Sequence, residues 1–148
     1  MRRSLLVAAI LSLALAGSAL AAYKTGRYEA GSSTGDGASL RIKKGSFSVS
    51  RVSFTETCSN PNGSFDERFT FVKGTDAKLQ GKIRKTGKFS GSYSSDAGVV
   101  KVTGKVKGSA ATVNVSESGS FTREDGQAFD CAGTHTFKAK RLVISTQG

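Results

Sequence analysis

The stretch VVKVTGKVKGSAATVNV, residues 99–115, alternates small apolar residues with Lys, Thr and Asn around a central Gly-Ser pair. A two-residue loop at Gly108-Ser109 sets Val106 opposite Ala111 and Val102 opposite Val115. All four apolar side chains then share one face, which a one-sided sheet requires. Glycine at the first loop position suits a type II′ turn, whose twist matches that of paired strands. The stretch therefore reads as an antiparallel hairpin with one dry side and one wet side.

The neighbouring segments extend it. In LQGKIRKTGKFSGSY (79–93) a three-residue loop ending in Gly87 predicts Ile83 opposite Phe89 and Leu79 opposite Tyr93. SDAG (95–98) then serves as a four-residue loop that pairs Tyr93 with Val100. These registers give four consecutive strands over residues 78–117. Their inner row is Ile83, Phe89, Gly104 and Val113, with Gly104 leaving room for the Phe89 ring. Upstream, in SLRIKKGSFSV (39–49), a Lys44-Gly45 loop pairs Ile42 with Phe47 and Leu40 with Val49. Apolar parity then switches within SFSVSRVSFTETC (46–58), from Phe47 and Val49 to Val52, Phe54 and Cys58. That switch predicts a β-bulge or bend near Ser50-Arg51. Closing strands run through RFTFV (68–72) and CAGTHTFKAKRL (131–142). No window after residue 21 sustains a 3.6-residue apolar period, so no substantial helix is expected. The fold class is all-β: an antiparallel meander of seven to nine strands, forming a β-sandwich or, as the alternative, a small closed β-barrel.

Residues 1–21 have the form of an export signal. Arg2 and Arg3 precede an apolar run from Leu5 to Ala16, and Ala19-Leu20-Ala21 supplies the small residues a signal peptidase needs. The run is shorter than the ~20 residues of a spanning helix. No cysteine near the cleavage site offers a lipid attachment point, and the context for twin-arginine export is missing. Residues 22–142 then form a single domain, 143–148 a frayed tail, and the product is secreted or periplasmic. In that compartment Cys58 and Cys131, the only cysteines, are expected to form a disulfide.

The formal net charge is +11. On the wet side of the meander, the registers place Arg84, Lys88, Lys105 and Thr112 in one row and Lys82, Ser90, Thr103 and Asn114 in the next. Lys85 and Lys107 fall at the same end. The plain reading is a solvated face whose lysines deter edge aggregation. The functional reading is an anion-binding patch formed by Arg84, Lys85, Lys88, Lys105 and Lys107. Its partners would be an anionic cell-envelope polymer, lipid head groups, extracellular DNA or a protein. Sequence-specific nucleic-acid recognition is not expected, since Phe89 and Tyr93 point inward and no aromatic residue is left outside for stacking.

Signals of catalysis are weak. His135 is the only histidine. It shares parity with Cys131 and Phe137, which makes it a structural residue facing inward or at the rim. No G-x-S-x-G elbow is present, and one His with two oxidised Cys makes no metal site. Neither metal nor cofactor is expected. Glu56 shares parity with Phe54 and Cys58; it is expected to pair with a basic group or to reach solvent at the sheet end. Asp66-Glu67 and Glu124-Asp125 read as loop charges. A glycosidase would need two carboxyl groups about 5–9 Å apart in a cleft, a distance sequence does not supply. Asn62-Gly63-Ser64 and Asn114-Val115-Ser116 match the glycosylation sequon, but the bacterial form of the signal assigns them no glycan.

The elements SFSVSRVSFTETC, GKFSGSY, VKVTGKVKGSAATVNV and CAGTHTFKAKR follow one another in a recognisable order. A strand ends in Cys, a G-x-F-x-G hairpin and a V-x-G-x-V hairpin follow, and C-x-x-G leads to an aromatic and basic end. This order resembles a loose group of small exported bacterial β-rich proteins with a single disulfide. The resemblance implies the fold and the disulfide and transfers no functional residue. The expected function is a secreted, non-enzymatic β-domain that binds a polyanion or protein through its basic sheet face. A small-molecule carrier is the first alternative, if the sheet closes as a barrel with an open mouth. An enzyme is the second.

Overall fold

The structure, a computed structural model, describes residues 23–32 and 34–143. The export signal lies outside that range, as does the tail from residue 144. Nine strands follow in chain order: β1 (Gly26–Gly31), β2 (Gly37–Lys43), β3 (Ser46–Asn60), β4 (Gly63–Val72), β5 (Gln80–Lys82), β6 (Lys88–Ser95), β7 (Gly98–Lys107), β8 (Ala110–Thr122) and β9 (Ala128–Arg141). The described residues contain no helix, hence none long and apolar enough to cross a membrane. The sheet is antiparallel, in the order β4-β3-β2-β1-β9-β8-β7-β6, and β3 also pairs with β5 and β9.

Turn chemistry placed most of the registers correctly. Val106 faces Ala111 and Val102 faces Val115. Phe89 faces Gly104 and Tyr93 faces Val100. Ile42 faces Phe47 and Leu40 faces Val49. The 95–98 loop is tighter than expected: Ser95 pairs with Gly98, which leaves a two-residue turn at Asp96-Ala97. Between β2 and β3 the ladder steps from Leu40–Val49 to Ser39–Arg51. Ser50 is therefore the extra residue of a bulge, and Phe47, Val49, Val52 and Phe54 all become buried.

One register differs. Ile83 does bridge to Phe89, but Leu79 does not pair with Tyr93. Instead β5 turns away and bonds β3, with Ser46 opposite Lys82, Phe47 opposite Gly81 and Ser48 opposite Gln80. The Phe47 ring explains the departure. A Cβ on Gly81 would lie 2.9 Å from Phe47 Cε1, and one on Gly91 would lie 3.0 Å from Phe47 Cζ. Two glycines thus form the slot into which Phe47 wedges, 4.7 Å from the Phe89 ring centre. The loop glycine Gly87 has φ +80°, and a Cβ there would sit 2.2 Å from the Val106 carbonyl oxygen. The Arg84–Lys88 turn is thereby held against β7.

Tyr28 ties the approach to β1 to the β7–β8 turn. Its ring is fully buried. Its hydroxyl donates to the carbonyls of Lys24 at 2.7 Å or Gly108 at 3.0 Å. Burial raises its pKa, and the nearby Arg141 charge offsets part of that effect. Tyr28→Phe removes the donor and leaves the ring. It should cost about 1–2 kcal/mol in urea denaturation. An unchanged midpoint would show that water replaces the hydroxyl without loss.

The apolar interior is divided. The main core holds Tyr28, Leu40, Ile42, Phe47, Val52, Phe54, Val102, Val106 and Val113 among others. Beyond it, the long hairpins β3–β4 and β8–β9 meet through Thr57–Ala132, Cys58–Cys131 and Ser59–Asp130. There Cys58, Cys131 and Phe129 form a second cluster with Phe65 and Phe121. The Arg123 guanidinium lies 4.6 Å from the Phe65 ring centre and 4.7 Å from that of Phe129. The expected Cys58–Cys131 disulfide is present and joins directly opposed residues of β3 and β9.

Candidate functional site

The outer face of β6–β9 is built by register. Lys88, Lys105, Thr112 and Lys138 form one row across the four strands. Lys107, Ala110 and Lys140 form the next on β7–β9. On the other side run Ser90-Thr103-Asn114-Thr136 and Ser92-Lys101-Ser116-Thr134. No Asp or Glu occupies these four rows. All six lysines are exposed, and none is ion-paired with a described residue. Glu29 on β1 stands beside Lys140, yet its carboxylate is held by Arg27 at 2.6 Å. Lys105, Lys107, Lys138 and Lys140 ring a shallow depression over Ala110 and Thr112. Small floor residues give an anion access to the ammonium groups from the front.

Of the five basic residues singled out in the sequence, all lie at this corner. Lys88 directly faces Lys105. The Arg84 amide donates to the Lys88 carbonyl at 2.8 Å, and the Val106 amide donates to Gly87 at 2.9 Å, so Lys85 lies close to the end of β7. Lys82 is not part of the face; it follows β5 to β3.

A second arrangement lies between the two apolar clusters. Glu117 on β8 faces Gly133 on β9, and one step along from the Thr57–Ala132 pair Gly133 meets Glu56 on β3. A Cβ on Gly133 would stand 2.9 Å from Glu56 Cβ. Because that Cβ is missing, two acids reach one another across the intervening strand. Glu56 is buried, contrary to the expectation that it would meet a base or solvent. Its neighbour is a second acid. Oε2 of Glu56 and Oε2 of Glu117 are both buried without a hydrogen-bond partner. Burial first, then a hydrogen bond with Glu56, then repulsion between the two acids push the Glu117 carboxyl up to about 8. At neutral pH Glu117 therefore keeps its proton.

No family model, curated protein or solved structure matches this chain. The basic face and the acid pair are what carry a functional reading.

His135 is half-exposed at the rim, its ring centre 4.4 Å from Phe137 and 6.1 Å from Phe54. Its Nδ1 is 4.0 Å from Asp36 Oδ2, while Arg68 holds the other oxygen of that carboxylate at 3.0 Å. Asp66 and Glu67 lie within β4, not in a loop, opposite Thr57 and Glu56. Glu67 is exposed. Sequence reasoning missed Lys138 and Lys140 as members of the basic face and Glu117 as the partner of Glu56. The signal was strand parity. Phe137 and Ala139 face inward, which turns Lys138 and Lys140 outward; Val113 and Val115 face inward, which carries Glu117 with them.

Proposed function

We propose that the protein is an exported, non-enzymatic β-domain that binds a polyanion rich in phosphate or carboxylate groups through the outer face of β6–β9. One observation carries the reading: six exposed lysines share four cross-strand rows with Ser, Thr, Asn and Ala and with no acid. Like charges set directly opposite, as at Lys88–Lys105, cost a few tenths of a kcal/mol. An anion laid across the rows reverses that cost by screening several ammonium groups at once. The exposed rows suit a long charged chain, which gains affinity from many weak contacts and from release of its counterions. The arginine-led export signal puts such polymers within reach. The carrier reading gains no support from the interior, where Ile83, Phe89, Val102, Val106 and Val113 are buried and pack as one core.

The test is retention of the mature, oxidised protein on immobilised heparin and on lipoteichoic acid across a salt series. Replacing Lys88, Lys105, Lys107 and Lys138 by Gln should lower the eluting salt sharply and flatten the salt dependence, by about one counterion per lost contact. The charge-matched control replaces Lys43, Lys44, Lys73 and Lys78, which lie off this face. It should change retention far less. Equal losses in the two variants, or no loss in the first, would refute the assignment.

A further inference from the structure

We propose that the carboxyl groups of Glu56 and Glu117 form a binding site for one divalent cation of the oxygen-seeking class, such as calcium or manganese. The site is independent of the basic face: Glu117 shares the inward parity of Val113 and Val115 on β8, and Glu56 is on β3, outside that face.

Three observations carry it. The first is the pair of orphan oxygens. Glu56 is about nine-tenths buried, and both Oε2 atoms are enclosed without a partner. A buried carboxylate oxygen without a donor is costly, and this end of the interior holds two. The second is the one-sided charge of the row. Glu67 lies opposite Glu56 on β4, so three acids stand in line across β4, β3 and β8, and none of the three forms an ion pair with a described basic residue. The third is the gap that admits them. Gly133 has no side chain between Glu56 and Glu117, and any Cβ there would press on Glu56 and on Phe54 Cε2 at 2.7 Å.

Enclosure selects a small occupant. A sugar ring or peptide has no approach to buried oxygens, whereas a proton or a single ion does. Glu117 is only partly buried, so solvent reaches the pair from its side. Ligand chemistry selects the class of ion. The Cys58 and Cys131 sulfurs lie within 4.8 Å of a Glu56 oxygen, but they are joined in the disulfide and offer no thiolate. What remains is carboxylate and water, a set that suits calcium, magnesium and manganese better than softer metals.

The experiment uses the oxidised mature chain, stripped with chelator and titrated calorimetrically with calcium and with manganese at neutral pH. The expected result is one ion per chain. E56Q and E117Q should each weaken binding by about two orders of magnitude, and E67Q should weaken it only slightly. Both Gln variants keep side-chain volume, and their circular dichroism reports whether they are folded. Independently of any variant, manganese should broaden amide signals centred on Gly133. Failure of both cations to bind up to about 10 mM would overturn the site. So would binding that survives E56Q and E117Q, or broadening centred elsewhere.

Discussion

Raising the pH from about 5 to about 9 should destabilise the metal-free protein by about 2 kcal/mol, and Glu117→Gln should remove most of that loss. The sign follows from where the proton resides. In the unfolded chain Glu117 ionises around 4.5, whereas in the folded chain burial and Glu56 push it up to about 8. Between those values the folded state binds more protons than the unfolded state, so stability falls as pH rises. The contribution is complete below the lower value and gone above the upper one. The full shift, at ~1.4 kcal/mol per pKa unit, sets a ceiling of roughly 5 kcal/mol. Glu117 is partly exposed, and solvent screening brings the expectation down to about 2 kcal/mol. Urea denaturation at three pH values with chelator present checks this. The variant should be the more stable protein at the alkaline end, since it retains a donor to Glu56 and never acquires the second charge. A flat profile for the native chain, or an unaltered slope in Glu117→Gln, would show that the two acids are not coupled.

Local rules made the hairpins legible. Gly45, Gly87 and Gly108 all take positive φ in the loops that the sequence places around them. With each loop length known, alternation fixed every following side chain. The Ser50 bulge was visible for the same reason, because apolar parity changes inside a strand only where one residue drops out of the alternation. What stayed hidden was non-local. The departure of β5 toward β3 depends on the Phe47 ring finding a slot between Gly81 and Gly91. Those three residues come together only in the folded sheet. β1, in the stretch GRYEAG, has a mixed pattern that no turn rule reads. The same boundary divides the candidate sites. Lys88 against Lys105 followed from one hairpin, whereas Lys138 and Lys140 required the β8–β9 register across the irregular 123–127 loop. Glu56 was readable as inward-facing. That another acid would meet it over Gly133 was not, because β3 and β8 are far apart along the chain.

Loss of the disulfide should be the most damaging single change. Substituting both Cys58 and Cys131 by Ala is expected to cost about 4 kcal/mol, the chain entropy released when a loop of this length is opened. The sequence separation is 73 residues, so the covalent bond constrains much of the unfolded chain. The folded side argues in the same direction. β3 and β9 are directly paired over only three residue pairs, with the cysteines in the middle. Farther along, they diverge to admit β1 and β2, and β1 holds β9 through only Tyr28–Arg141 and Glu29–Lys140. The cluster beyond the bond is small, with Phe129 buried and Phe65 and Phe121 half-exposed. Without the bond, that end of the two long hairpins should separate before the main core does. Urea denaturation measures the total, and amide exchange locates it. Protection should fall first at Thr57, Ser59, Asp130 and Ala132, while Val102, Val106 and Val113 stay protected until global unfolding. Reducing the native protein should reproduce both effects. A loss below about 1 kcal/mol, or exchange that rises evenly across the sheet, would mean that the Phe65–Phe121–Phe129 packing holds the tip unaided.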